Sequence, residues 1–319
     1  MTRPNFFIVG APKCGTTALS EYLKGHPSVF ICEPKEPNYF SFDFRGLQYV
    51  RDEKAYVALF GHATSSQTRI GEASVSYLYS REALPAVKQF VPDAQIIVMV
   101  RNPVNMAISL HRQLVYAGYE DVHDFEEAWR LQESRRNGLH IPPNCREEAF
   151  LQYAEVCSLG TQLQRLHAVF PSEQIKVILF DDFVRDTRGV YREVLDFLGL
   201  PDDARENFPL INEAKRPRYE MLSKVIARGK PWVVRVALQA RDMTGWNPFP
   251  WLRRLESINQ IRVEKYSIRW DFCKEMLAAF KEDIALLSSL IERDLSCWQT
   301  ICEVLPGSPE MAGLNEKPF

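Results

Sequence analysis

The sequence has almost no net charge, no closely spaced pair of cysteines and no long hydrophobic run. Its 39 Lys and Arg residues nearly balance 41 Asp and Glu residues, which gives a formal net charge of −2. A nearly neutral chain has no overall field that attracts nucleic acid, so any anion site must depend on the local placement of charge. We therefore expect no nucleic-acid partner.

The seven cysteines are scattered without a CxxC pair, and an odd number cannot form a closed set of intramolecular disulfides. Free thiols are typical of a reducing compartment. No stretch approaches the roughly 20 apolar residues of a membrane-spanning helix. The short apolar run near the N-terminus leads into a glycine turn and Lys13, unlike a signal peptide with its cleavage site. We therefore expect free thiols, no transmembrane segment and a cytoplasmic location.

Three short apolar runs have the composition of buried strands in a parallel sheet, because they are rich in Val, Ile and Phe and lack polar alternation. The runs are Phe6–Val9, Ile96–Val100 and Lys176–Phe180. Apolar residues at helical spacing separate them and predict helices over 17–24, 103–117 and 260–298. The sequence therefore predicts an α/β protein, with a P-loop-like three-layer fold whose central parallel sheet is flanked by helices.

The rest of the chain predicts one domain with an insertion and a tail. We place the domain over 1–304 and a flexible, Pro- and Gly-rich tail over 305–319. Residues 226–255 combine three Trp with six Lys or Arg residues and are predicted to be an insertion in the domain. Peripheral contact of this insertion with a membrane surface or a partner protein stays open. The sequence does not indicate an oligomeric state.

The strongest chemical signal is the loop Gly10-Ala-Pro-Lys-Cys-Gly-Thr-Thr17 between a predicted strand and a predicted helix. Its two glycines allow backbone N–H groups to face one anion, and the helix that follows adds its positive end. The pattern approaches the nucleotide-binding GxxxxGK[ST] loop. However, Thr16 stands where that loop has its lysine, and the only lysine here is Lys13. We expect a loop that binds a phosphate without the groups that hold Mg²⁺ and a γ-phosphate.

A second anion site is predicted in the segment Val100–Ser109. Arg101 follows a predicted strand, and open α/β sheets bind ligands at the carboxyl ends of their strands. Ser109 lies on the same helical face as Asn102, about two turns further on. An arginine fork and a hydroxyl suit a terminal phosphate monoester. Together, the two motifs imply a ligand with two separated phosphates.

The two motifs in this order resemble those of the sulfotransferases that use 3′-phosphoadenosine 5′-phosphosulfate (PAPS). The PKxGTT loop and the later RNPxxxAxS segment are most similar to the branch that contains the heparan sulfate sulfotransferases and their bacterial relatives. Further similarity covers KEPNYF at 35–40, GEASVSYL at 71–78 and RDLSCW at 293–298. The resemblance implies transfer of a sulfuryl group from PAPS to a hydroxyl or amine, with the bisphosphate PAP as product and no metal required.

The resemblance also implies roles for individual residues. In that family the first motif holds the 5′-phosphosulfate and the second holds the 3′-phosphate. The second motif corresponds here to Arg101 and Ser109. Arg216 and Arg218 are predicted to belong to a basic flap over the nucleotide, with an ordinary surface loop as the alternative. The residues expected to bind the 5′ end are Pro12, Lys13, Cys14, Gly15, Thr16 and Thr17.

Glu36 is the predicted base, and Lys13 is predicted to stabilise the leaving phosphate. Glu36 lies in a loop stiffened by Pro34 and Pro37. The sequence departs from the heparan-type enzymes at Asn38, where those enzymes often have His, so we expect no Glu–His relay. The residues predicted to border the acceptor are Asn38, Glu72, Ser74 and Tyr77.

The acceptor class is left open by the sequence. The resemblance favours a carbohydrate hydroxyl, and a lipid-linked sugar or a small natural product are alternatives. Two other functional classes also remain. The first is a P-loop kinase or NTPase, to which the weak Walker B resemblance of Val177–Asp181 would belong and which the missing lysine at position 16 disfavours. The second is a non-catalytic scaffold that uses residues 226–255.

Overall fold

The computed structural model describes residues 2–211, 215–217, 260–262 and 269–300. The strands are β1 (Phe6–Gly10), β2 (Val29–Ile31), β3 (Arg69–Glu72), β4 (Gln95–Val100), β5 (Ile175–Leu179), β6 (Lys215–Pro217) and β7 (Gln260–Arg262). The α-helices are α1 (Thr16–Lys24), α2 (Glu53–Ala58), α3 (Ala83–Phe90), α4 (Pro103–Ala117), α5 (Phe125–Arg130), α6 (Gln132–Arg136), α7 (Tyr153–Val156), α8 (Leu159–His167), α9 (Phe180–Arg185), α10 (Thr187–Phe197), α11 (Trp270–Leu290) and α12 (Cys297–Thr300). Short 3₁₀ turns occupy Glu148–Leu151 and Ser172–Gln174.

A parallel sheet of five strands forms the centre of the fold, in the order β2-β3-β1-β4-β5. In β1, Phe6 is paired with Gly71 of β3 on one side and with Gln95 of β4 on the other. Every residue of β1 is buried, as expected for a parallel strand covered on both faces. The predicted α/β fold with a central parallel sheet flanked by helices is therefore confirmed.

The three predicted strands correspond to β1, β4 and β5, with ends that agree within one residue. The sequence did not predict β2 or β3. Strand β2 is only three residues long, and β3 reads Arg-Ile-Gly-Glu, which lacks the continuous apolar run of a buried strand. These two strands depend on pairing with their neighbours and not on local propensity.

Helix α4 has a strong start signal in its sequence. Pro103 occupies its first turn, and the Asn102 side chain accepts hydrogen bonds from the backbone N–H groups of Val104 at 3.0 Å and Asn105 at 3.3 Å. Gly118, with φ of 71°, ends the helix. The helix predicted over 103–117 is thus confirmed, and its N-terminus lies at the carboxyl end of β4.

Helix α11 covers one side of the domain and packs against α8. The Asp283 carboxylate accepts hydrogen bonds from the backbone N–H groups of Gly160 and Thr161, each at 2.8 Å, so α11 also caps the first turn of α8. The helix predicted over 260–298 was too long. Residues 260–262, the first three of the predicted range, form strand β7 instead, which pairs antiparallel with β6.

Among the described residues, Cys14, Cys145 and Cys157 are free thiols. Cys273 is disulfide-bonded, which corrects the expectation that all cysteines would be free. Among the described residues, no helix has the length and apolar character needed to cross a membrane. The predicted insertion at 226–255, the tail at 305–319 and Arg218 lie outside the described residues.

Candidate active site

The glycine loop predicted from the sequence connects the end of β1 with the start of α1. Gly15 has φ of 89°, in the left-handed region, and a Cβ at this position would lie 3.1 Å from the Phe180 ring. Lys13 is also left-handed, with φ of 65°. This curled backbone and the first turn of α1, where Thr16 is buried and Thr17 half-buried, form a cradle of N–H groups suited to an anion.

Lys13 brings positive charge to this cradle. Its side chain is half-buried, and burial, with a smaller contribution from the charge of Arg101, lowers its pKa to about 8. The charge of Glu36 acts in the opposite direction. Arg101 and Glu36 come from two other motifs, yet both lie within electrostatic reach of Lys13. The structure therefore brings the predicted catalytic residues and the second anion site together.

Arg101 is fixed between two strand ends. Its Nη1 donates a hydrogen bond to the Lys13 carbonyl oxygen at 3.2 Å, and its guanidinium lies 4.5 Å from the centroid of the Phe180 ring. Phe180, which the sequence analysis did not single out, directly follows β5. Ser109 is half-buried on α4. Strand β6 lies beside that helix and contains Arg216. The second predicted anion site therefore adjoins the first.

Pro12 and Cys14, the two neighbours of Lys13, are both buried. Pro12 is buried, and its carbonyl oxygen accepts a hydrogen bond from the Cys14 thiol at 3.4 Å. Cys14 is fully buried, which raises the pKa of its thiol to about 12. The thiol is thus neutral at physiological pH, and since proline has no N–H group, the backbone N–H of Cys14 is the only donor that these two residues can offer an anion.

The loop that carries Glu36 follows β2. The Glu36 side chain is 36% exposed, and its Oε1 lies 2.8 Å from Lys35 Nζ. The Lys35 carbonyl accepts a hydrogen bond from the Ala73 N–H at 3.1 Å, and the Pro37 carbonyl accepts one from the Tyr49 N–H at 3.1 Å. The backbone on both sides of Glu36 is therefore held, while its carboxylate stays accessible.

Asn38 is only 5% exposed and has φ of 51°. Its Nδ2 donates hydrogen bonds to the carbonyl oxygens of Glu36 at 3.2 Å and Leu47 at 3.3 Å. Its Oδ1 accepts a hydrogen bond from the Ser76 hydroxyl at 2.7 Å. The Asn38 amide, which stands where the heparan-type enzymes often have histidine, is thus hydrogen-bonded within the protein. Its contact with an acceptor stays a prediction.

Glu72 ends β3 and is fully buried. Its Oε1 accepts hydrogen bonds from the Tyr56 hydroxyl at 2.7 Å and the Tyr77 hydroxyl at 3.0 Å, and its Oε2 accepts one from the Ser74 hydroxyl at 2.7 Å. Burial raises the pKa of Glu72 to about 7. Ser74 and Tyr77 are also fully buried, so the predicted acceptor contacts of these three side chains stay predictions. No sequence motif indicated Tyr56.

The C-terminal RDLSCW segment closes on the same edge of the sheet. Trp298 Nε1 donates a hydrogen bond to Asp181 Oδ2 at 3.0 Å, and the Trp298 carbonyl accepts one from Asn102 Nδ2 at 3.3 Å. Asp181, the aspartate of the Walker B-like segment, thus serves here as an acceptor for an indole. Residue types alone could not show that this distant segment joins the ends of β4 and β5.

The arrangement combines an N–H cradle, two cations and an accessible carboxylate, so it can bind an anionic ligand and accept a proton beside it. Two surface cavities of about 240 and 320 Å³, both lined by Arg81 and Arg165, contain none of the predicted site residues. Within the described ranges, no group of three or more His, Cys, Asp or Glu side chains could hold a metal ion. The site is therefore described by the charges that converge on it.

Residues 3–217, which include both anion motifs and the Glu36 loop, match the sulfotransferase domain family. The chain belongs to the sulfotransferase family. The family resemblance carried by the sequence motifs is thus confirmed. The match covers the domain as a whole, and the roles of individual residues stay predictions.

Relatives of this sulfotransferase include enzymes named for carbohydrate acceptors. Heparan sulfate glucosamine 3-O-sulfotransferase 3B1 of Mus musculus is 30% identical over 229 residues, which cover 72% of this chain and 54% of that protein. Carbohydrate sulfotransferase 15 of Rattus norvegicus is 27% identical over 245 residues, which cover 62% and 44%. The chain thus spans about half the length of the curated relatives it matches.

A solved structure is similar over nearly the whole sulfotransferase chain. The crystal structure of a sulfotransferase from Alicyclobacillus acidocaldarius has a TM-score of 0.69 and 30% sequence identity. The similarity covers 94% of this chain and 100% of that chain. The likeness therefore extends beyond residues 3–217 and includes the order of elements around the central sheet.

Proposed function

We propose that this protein transfers the sulfuryl group of PAPS to a hydroxyl or amine of an acceptor. The observation that carries the proposal is the convergence of two anion sites and the Glu36 carboxylate at one edge of the sheet, in a member of the sulfotransferase family. Open α/β sheets bind ligands at this edge. A ligand with phosphates at both ends of a nucleoside suits two adjacent anion sites better than a single phosphate does.

The residues at the site fit such a ligand. The cradle from Pro12 to Thr17 would hold the 5′-phosphosulfate, because its curled backbone and Lys13 supply N–H groups and positive charge. Arg101 and Ser109 would hold the 3′-phosphate. Arg216 is proposed to contribute from β6, which lies beside α4. Arg218, two positions further along the chain, is proposed to contribute as well. No metal is needed in this proposal, since Lys13 neutralises the charge of the leaving phosphate.

The proposed reaction is an in-line displacement at sulfur. When bound, PAPS supplies an electrophilic sulfuryl group on a phosphate leaving group. Glu36 takes the proton of the acceptor as its oxygen or nitrogen forms the new bond to sulfur. The electron pair of the breaking S–O bond leaves with the phosphate oxygen, where Lys13 and the loop N–H groups stabilise the developing negative charge.

We propose a carbohydrate hydroxyl as the acceptor, because the names of the relatives specify glucosamine 3-O-sulfation and carbohydrate sulfation. A small natural product is the second candidate. A mass-spectrometric screen that supplies PAPS with a panel of glycans and small hydroxyl and amine compounds separates the two. Transfer to none of the panel, with PAP bound, would place the acceptor outside both classes.

PAP is expected to raise the melting temperature in the presence of EDTA. At about 100 times its Kd, a ligand that binds only the folded state adds about 2.7 kcal/mol to the unfolding free energy. For a chain of this size, that corresponds to a rise of several degrees. Differential scanning fluorimetry with PAP and EDTA, compared with ATP and Mg²⁺, measures the effect. Stabilisation only by ATP with Mg²⁺ would favour the kinase or NTPase alternative.

PAP binding at pH 8.5 is expected to take up protons. The pKa of Lys13 is about 8 in the free protein, so much of this amine is neutral at pH 8.5. A phosphate in the cradle favours the charged form and raises that pKa, so affinity should fall as pH rises through 8. The phosphates of PAP, with a second pKa of about 6, are already ionised. Calorimetry in buffers of different ionisation enthalpy measures the uptake.

The matched control is Lys13→Arg, because a guanidinium stays charged throughout this pH range. Its binding of PAP should proceed without the proton uptake seen in the wild type. Equal uptake in wild type and Lys13→Arg would show that another group titrates.

A further inference from the structure

Two hydroxyl groups connect a buried carboxylate with the loop that carries the proposed base. Ser74 donates its hydrogen to Glu72 Oε2 at 2.7 Å and accepts a hydrogen bond from the Asn38 N–H at 3.1 Å. Tyr77 donates to Glu72 Oε1 at 3.0 Å and accepts from the Phe40 N–H at 3.3 Å. Each hydroxyl is therefore a bridge from the carboxylate to one backbone N–H group of the loop.

When Glu72 is ionised, above its pKa of about 7, its charge fixes the direction of both bridges. An ionised carboxylate can only accept hydrogen bonds, and each hydroxyl has a single hydrogen to donate. When Ser74 and Tyr77 direct their hydrogens to Glu72, their lone pairs are left for the loop N–H groups. Tyr56 gives Glu72 a third donor at 2.7 Å. The carboxylate thus orders a network in which the Ser74 and Tyr77 hydroxyl oxygens accept hydrogen bonds from the loop.

Stability of the fold does not explain this carboxylate. Glu72 is fully buried, and it has no ion pair within 4 Å in the part of the chain that the structure describes. Its three donors are neutral hydroxyls, and burial raises its pKa to about 7. A buried anion without a cation is costly for a folded protein. Groups of this kind concentrate at functional sites.

We propose that Glu72 is a positioning residue for sulfuryl transfer, which holds the backbone at Asn38 and Phe40 through Ser74 and Tyr77 and so orients Glu36 toward the acceptor. The proposal rests on the proposed function of the site. Asn38 follows Glu36 by two residues, so a shift of its N–H moves the base. Misplacement of a reacting group by about 1 Å can cost about 10² in rate.

Two single substitutions test the bridges. Ser74→Ala removes one bridge and Tyr77→Phe removes the other, each with little change in side-chain volume. We expect kcat with a hydroxyl acceptor to fall about tenfold or more in each variant. The Kd of PAP should change less than about twofold, because neither residue belongs to the anion cradle.

The matched control is Tyr191→Phe. Tyr191 is also a buried tyrosine whose hydroxyl donates to a carboxylate, that of Asp203 at 3.1 Å, but it lies on α10 and outside the site. This variant should keep the wild-type kcat. A comparable loss in Tyr191→Phe would overturn the proposal, because any buried hydroxyl would then have the same effect.

Hydrogen exchange of the peptide spanning 33–42 gives a readout that does not depend on activity. The amides of Asn38 and Phe40 should exchange faster in Ser74→Ala and Tyr77→Phe than in wild type, and at the wild-type rate in Tyr191→Phe. If the wild type is active and the variants lose amide protection but keep the wild-type kcat, that result overturns the positioning proposal. So does a loss of kcat with unchanged exchange. A wild type that neither binds PAP nor transfers sulfuryl groups overturns the proposed function instead.

Glu72→Gln separates positioning from a purely structural role. The folded-state pKa of Glu72 is about 7, above its usual value of 4.5, so the carboxylate disfavours folding increasingly as pH rises from about 5 to 7. The titratable groups facing it are Tyr56 and Tyr77, whose raised pKa values keep them neutral, and the more distant Glu36. The melting temperature of Glu72→Gln relative to wild type should therefore rise between pH 5 and pH 8.

The kcat of Glu72→Gln should nevertheless fall. The glutamine amide N–H group would face the Ser74 or Tyr77 hydroxyl, so that hydroxyl would accept a hydrogen bond from position 72 where it now donates one. Lower stability of the variant at pH 8 together with normal protection of the loop would show that Glu72 is only structural and would overturn the proposal. If this variant does not fold, Ser74→Ala and Tyr77→Phe still decide the question.

Discussion

Replacing Glu36 with Gln is expected to lower turnover by about 10²–10⁴ and to leave the affinity for PAP nearly unchanged. Gln keeps the shape and much of the hydrogen bonding of the side chain, but it cannot take a proton from the acceptor. The carboxylate is 36% exposed and lies beside the anion cradle, where an acceptor can reach it. Steady-state kinetics with a hydroxyl acceptor and calorimetry with PAP measure the two quantities.

The control for this variant is Glu33→Gln in the same loop. Glu33 pairs with Lys24 as Glu36 pairs with Lys35, and it should be replaceable with little loss of turnover. Near-normal turnover of Glu36→Gln would show that the base is a different group or that the acceptor arrives already activated.

Replacing Lys13 with Ala is expected to lower turnover by about 10² or more, with a smaller loss of PAP affinity. The lysine charge is most useful when the S–O bond breaks and negative charge develops on the leaving phosphate. Ala keeps the left-handed backbone at this position, where φ is 65°, about as well as Lys does. The same kinetic and calorimetric measurements apply, with Lys13→Arg as the variant that preserves charge.

Lys24→Ala, at the C-terminal end of α1, is the control for general loss of positive charge and should stay near wild type. Equal losses of PAP binding and turnover in Lys13→Ala would indicate that Lys13 only binds the ground state. A mechanism in which Lys13 stabilises the leaving phosphate would then have to be abandoned.

Local sequence was sufficient for the two anion motifs and for the centre of the sheet. The glycine loop and the Arg101 segment each lie within one strand–turn–helix unit, so their residue order already encodes their geometry. Strands β1, β4 and β5 are continuous apolar runs, because parallel strands covered on both faces need no polar alternation. These features carry their signal within a few neighbouring residues.

The side chains that support the site from below its surface could not be predicted in the same way. Tyr56 reaches Glu72 from a helix of six residues that contains no motif. The motifs around Asn38 and Ser74 showed residue types suited to an acceptor, but residue type does not tell which side chains point inward. Burial is decided by tertiary packing, and here it places the amide and the hydroxyl in contact with the loop and not with solvent.

The hydrogen bonds of Trp298 bear on how the protein is made by the ribosome. Trp298 bonds with Asp181 across 117 positions of sequence and with Asn102 across 196 positions. All five sheet strands are synthesised by residue 179, so a nascent chain can assemble the sheet long before this tryptophan leaves the exit tunnel. Contacts between such distant residues form late. The ends of β4 and β5 therefore receive this partner only after residue 298 has been synthesised. A chain stopped before residue 298 would contain both anion motifs without the indole that joins their supports.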